Sequence, residues 1–212
     1  MRLLDEFKAE HLLVDRVAGS LIRFAELAAR GETTAEDITD FVTFFRVFVA
    51  GYHHEREEKT LFPALIEMAE VPADRGPLPS IEADHRAAAA LVDELEEAGG
   101  NQKRATDVAR RLAHHLWEHV DKEDSVLLPE SSERLRRNGV TRLEGRKPNA
   151  EEVAARELGE QLTGRFPPLD DPEIVRGDGC VACSAFGETC GGIETEWWNT
   201  WEHEYHRSLD EG

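Results

Sequence analysis

At 212 residues and 40% hydrophobic side chains, the chain can bury one core of about 100 to 200 residues, with length left for an appendage. Its formal charge of -19, from 44 acidic against 25 basic residues, excludes a nucleic-acid or phospholipid partner held through clustered Lys and Arg, and reads as a solvated surface. The cysteines, Cys180, Cys183 and Cys190, crowd into one stretch rather than an even disulfide framework, and no run suits a signal peptide or a membrane span, so a cytoplasmic protein is expected.

From Leu4 the apolar positions Phe7, Val14, Ala18, Leu21 and Ala25 follow a three-four spacing, with His11 in the slot between Phe7 and Val14. This predicts an amphipathic helix that ends near Gly31, with His11 facing inward. Thr33 with Glu36 matches the Ser/Thr-x-x-Glu capping box and starts a second helix. Its stripe runs Ile38, Phe41, Val42, Phe45 and Val49, then turns polar at His53 and Glu57 before Leu61. A carboxylate and an imidazole on a buried face cost several kcal/mol unless paired or bound to a cation. His54 and Glu58 share the spacing but follow Val47, Ala50 and Gly51 on a flank.

Pro72, Gly76, Pro77 and Pro79 mark a loop, after which Ser80 caps a third helix over Ile81, His85, Ala88, Val92 and Leu95 to Gly99 and Gly100. The fourth helix runs from about Lys103 through Val108, Leu112, Leu116, His119, Glu123 and Leu127 to Pro129. At an offset of 66, His53, Glu57, Leu61 and Pro63 fall on His119, Glu123, Leu127 and Pro129; at an offset of 74, Glu10 and His11 fall on Asp84 and His85. The chain carries a duplicated helix pair, and the match selects His53 with Glu57 over His54 with Glu58.

Two helix pairs with short connections predict an all-α, antiparallel up-down four-helix bundle over residues 1–130, followed by a partly irregular C-terminal extension over 131–212. In that bundle His11, His53, Glu57, His85, His119 and Glu123 come to one level. Imidazole and carboxylate together suit iron, manganese or zinc rather than calcium or magnesium. Six ligands exceed one tetrahedral zinc, whereas carboxylates on facing helices can bridge two ions about 3.5 to 4 Å apart. Two such ions would leave a position open for water, oxygen or peroxide.

With His11, the stretch HHEREEKTLFP, Asp84 and His85, and HVDKEDSVLLP, the sequence resembles the hemerythrin-like (HHE cation-binding) family over about residues 3–130. The resemblance implies a non-haem di-iron centre of two iron ions, with His11, His53, His85 and His119 as terminal ligands and Glu57 and Glu123 as bridges. Oxygen-carrying hemerythrins have a fifth histidine one turn after the third-helix ligand, where this chain has Ala89. His115, one turn before His119, is the residue that could supply it; His114 shares a polar face with Arg110 and Arg111 and is expected in solvent.

After Pro129 a short charged helix, about Ser131 to Arg137, is expected, and Asn149 with Glu152 caps another to about Leu162. Cys180, Cys183 and Cys190, with His203 or His206, could hold one zinc as a knuckle; a redox pair and free thiols are the alternatives. Trp197, Trp198 and Trp201 suit docking of this tail onto the bundle, a second subunit or a protein partner. Three functions follow: storage or sensing of oxygen or a related small ligand, a di-iron enzyme acting on peroxide or nitric oxide, and an iron- or oxygen-responsive regulator that signals through the tail.

Overall fold

The computed structural model describes residues 1–74 and 76–171. Among them every regular element is a helix. The first, α1, is Arg2–Ala28, shorter than the expected end near Gly31 because Gly31 (φ 74°) turns the chain. The second, α2, begins one residue later than the sequence motif placed it: Thr34 is the cap, its hydroxyl accepting from the Asp37 backbone N–H while the Asp37 carboxylate accepts from the Thr34 N–H. Thr33 and Glu36 are not the capping pair.

Helix α2 is continuous over 35–69 but changes winding along its length. Ala35–Thr43 is α-helical, Phe44–His54 and Glu57–Leu61 are π-helical, and Phe62–Ala69 is α-helical again. Next come α3, Pro77–Ala98, and α4 over 102–137. Gly76 (φ 80°), with prolines in the first turn, starts α3, so the helix begins ahead of Ser80. Helix α4 does not stop at Pro129: a π-turn at Glu123–Leu127 carries it into Leu128–Arg137, and the short charged helix is its last turns.

Both prolines explain the turns before them. A proline inside an α-helix lacks an N–H and drives its ring against the carbonyl four residues back. Here the N–H groups of Phe62 and Leu128, each just ahead of its proline, reach back five residues to the carbonyls of Glu57 and Glu123. The wider turn makes room for the ring, and such turns recur at functional positions.

The helices form an antiparallel four-helix bundle in which α4 packs on α1 and α3, and α2 packs on α3. Direction is read from the core, which is two apolar clusters with a polar layer between them. Helices α1 and α3 run from the smaller cluster (Leu3, Leu4 and Phe7; Leu78 and Ile81) into the larger (Leu13, Val17 and Leu21; Val92 and Leu95). Helices α2 and α4 run the opposite way, from Phe41, Phe45 and Leu112 towards Leu61, Leu65 and Leu127.

A fifth helix, α5, is Ala150–Arg165, with the Asn149/Glu152 capping box in place and one more turn than expected. It lies over α1 and the π-helical part of α2. Gly159 permits that approach, since a Cβ there would run into the Phe44 ring. Ala155, Leu162 and Phe166 join the larger cluster, and Arg165 pairs with Asp40 at 2.6 Å. No helix among the described residues is long and apolar enough to cross a membrane.

Candidate metal centre

All four bundle helices contribute to the polar layer. His11 from α1, His53, His54 and Glu57 from α2, His85 from α3, and His119 and Glu123 from α4 are all buried. They form two groups whose donor atoms lie within 4.8 Å of one another: His54, Glu57, His85 and His119 in one, and His11, His53, Glu57 and Glu123 in the other. Glu57 belongs to both. Its Oε1 lies 3.5 Å from His53 Nε2, and its Oε2 lies 3.4 Å from His85 Nε2, so its two oxygens face the two groups. Glu123 Oε2 stands 3.1 Å from His11 Nε2 and 3.4 Å from His119 Nε2.

Behind the rings stands a ring of carboxylates. His11 Nδ1 donates to Asp124 at 2.9 Å, His53 Nδ1 to Glu10 at 2.8 Å, and His85 Nδ1 to Glu58 at 2.7 Å; Asp84 lies 3.8 Å from His119 Nδ1. A carboxylate accepts only, so these bonds fix the Nδ1–H tautomer and leave Nε2 facing inward with a lone pair. Glu10 is gripped by Arg56 at 2.6 and 2.7 Å, and Asp84 by Lys122 at 2.9 Å.

The residues fit a cation. The Nε2 atoms of His11 and His53 face each other at 3.1 Å although both Nδ1 atoms already donate outward, an arrangement that needs a proton or an ion between them. Both oxygens of Glu57, both of Glu123, and Nε2 of His85 and His119 are buried with no hydrogen-bond partner. Orphaned polar atoms converging on one point are costly unless something charged sits there.

Charge in the metal-free cluster follows the same logic. Burial opposes protonation of His11, but its bonds to Asp124 and Glu123 and the nearby charges of Glu123 and Glu57 outweigh it and raise the pKa to about 10. His85 reaches about 10 in the same way, burial being overcome by Glu57 and Glu58. His54 goes the other way: burial, and next the electrostatic effect of the neighbouring His85 and His119, hold its pKa well below the ordinary value. Burial raises the Glu123 carboxyl, yet the charge of His119 and the bond from His11 bring it below the usual range.

The structure therefore brings His11, His53, Glu57, His85, His119 and Glu123 together and adds His54, which the helical spacing had placed on a flank. The π-helical stretch Phe44–His54 is the reason: i→i+5 bonding advances the chain less per residue around the axis, so two consecutive residues face inward. Glu58 does stay at the rim, bonded to His85. His115 is outside the cluster, its Nε2 donating to the Asp84 carbonyl at 2.8 Å. Nor is His114 simply solvated, since its Nε2 meets Asp171 at 3.0 Å. Cys180, Cys183 and Cys190, the tryptophan segment, His203 and His206 lie outside the described residues.

The family model of the hemerythrin HHE cation-binding domain matches residues 2–131. No curated protein and no solved structure matches the chain.

Proposed function

Since the chain belongs to the hemerythrin HHE cation-binding family, we propose that its polar layer holds two iron ions and binds oxygen or a related small ligand, for storage or sensing. The observation that carries this is the pair of donor groups sharing Glu57. They divide unequally: one group offers the three imidazoles of His54, His85 and His119, the other those of His11 and His53, with Glu57 in both and Glu123 in the second. Iron held there would supply a redox-capable cation able to bind a small ligand. The protein's own part is to hold His11, His53 and His85 in the Nδ1–H tautomer through Asp124, Glu10 and Glu58, and to set the site between two apolar clusters.

Turnover of peroxide or nitric oxide is the second reading, supported by the same donor groups, because such chemistry would require no separate acid or base beside the ions. A cytoplasmic setting belongs to the proposal, as does a partner for the tail.

Metal analysis of the purified chain tests it, with two irons per chain expected. His53→Ala and Glu123→Ala each lower the content to one or none; two irons retained in either variant overturns the assignment. Reversible oxygen uptake by the reduced protein favours binding, and sustained consumption of added peroxide favours the enzyme.

A further inference from the structure

Five imidazoles meet in the polar layer; His11, His53 and His85 each donate to a carboxylate behind them, and Asp84 stands 3.8 Å behind His119. The fifth, His54, has no hydrogen-bond partner among the described residues. Only ring contacts hold it: it stacks on His85 at 3.8 Å with 8° between planes, and stands edge-on to His119 at 5.3 Å.

Beside it is a cavity of about 110 Å³ between α2, α3 and α4. The buried rings of His54 and His85 form its inner end. Its walls are apolar, from Phe45, Val49, Ala88, Val92, Leu112 and Leu116. At the mouth stand two small exposed residues, Ala50 and Ala89, with Arg46 tied to Asp93 at 2.6 Å and to Glu96 at 2.7 Å. The cavity thus joins the surface to the one candidate imidazole that, among the described residues, pairs with no carboxylate behind it.

We propose that this cavity is a second ligand site of the centre: a compact neutral donor molecule enters between Ala50 and Ala89 and displaces His54 from the three-histidine group. The inference rests on the two-metal reading above. Loss of the hydrogen bond behind a ligating histidine typically costs 10- to 100-fold in metal affinity, so His54, with no carboxylate behind it and the cavity beside it, is the ring most easily exchanged. Apolar walls make the site selective. An anion would shed its hydration without any donor to replace it, whereas a small neutral molecule loses far less on leaving water. Because Arg46 is already engaged by two carboxylates, it is not free to draw an anion to the mouth.

The test uses the full chain loaded with iron and imidazole as the neutral donor, reading iron per chain and the absorption of the centre. In the wild type, imidazole is expected to change the absorption while two irons stay bound. Ala89→Leu, at an exposed helical position, narrows the mouth and should weaken the imidazole response about tenfold or more. His54→Gly should keep two irons when imidazole is present and bind it about tenfold tighter than the wild type does. An unchanged response in Ala89→Leu, or loss of an iron from His54→Gly that imidazole does not restore, overturns the proposal with the two-metal reading intact. Fewer than two irons in the wild type overturns both.

Discussion

Arg56 gives the sharpest test of how the centre is supported. Its side chain is 1% exposed and carries bonds to Glu10 at 2.6 and 2.7 Å, Glu6 at 3.1 Å and the Tyr52 hydroxyl at 2.8 Å, while its guanidinium lies 4.1 Å from the Tyr52 ring centroid. Replacing it by Met keeps most of the volume and removes the charge. The cost then comes from Glu10, whose side chain is 12% exposed and would keep only His53 as a partner. Breaking one side of a buried ion pair costs about 3–5 kcal/mol. Glu6 is a third exposed and adds no more than about 1 kcal/mol. Urea unfolding of the metal-free protein should therefore show Arg56→Met destabilised by about 3–5 kcal/mol relative to wild type. Adding Glu10→Gln removes the stranded charge and should restore part of the loss. A loss under about 1 kcal/mol, or a double variant no more stable than Arg56→Met alone, would refute the reasoning.

Four further outcomes are expected. His11 and His85 have pKa values raised from 6.5 to about 10, so their protonation stabilises the metal-free fold fully below about pH 6.5, and that contribution fades as pH rises through about 10. Metal-free protein should unfold at lower urea at pH 10 than at pH 6.5, and iron loading near neutral pH should release about two protons per chain, measurable by calorimetry in buffers of different ionisation enthalpy. Gly159→Ala should cost about 1–3 kcal/mol, read by thermal unfolding, because the added methyl meets the Phe44 ring between α5 and α2. His115→Ala should leave the iron content unchanged, since that ring faces the Asp84 carbonyl; a drop in iron would return it to the ligand set.

The bundle was legible because two independent patterns agreed. A 3.6-residue apolar stripe interrupted by His and Glu occurs in each half of the chain, and the halves superpose in sequence. That agreement located His11, His53, Glu57, His85, His119 and Glu123 on the inward faces. His54 was hidden twice over. Its counterpart in the second half is Val120, so the repeat says nothing about it, and its face can be worked out only by knowing that α2 leaves α-helical winding after Thr43. Its two neighbouring histidine letters were the available clue. The caps slipped because Thr33 and Thr34 both precede an acidic residue three places on, and only backbone geometry separates them. The brace of Arg56 on Glu10 joins residues distant in sequence that no spacing rule connects, although Tyr52 lies one turn before Arg56.

The position of α5 bears on where this molecule, as a physical object, ends. The family match stops at residue 131, but Phe24 and Phe41 bury their rings against Phe166, and Phe44 lies under Gly159. A chain cut at the family boundary would uncover a contiguous aromatic patch on α1 and α2, beside the very stretch of unusual winding that carries His53 and His54. The inherited module and the packed unit are then different lengths of chain: residues outside the module cover the helix that turns two successive histidines towards the polar layer.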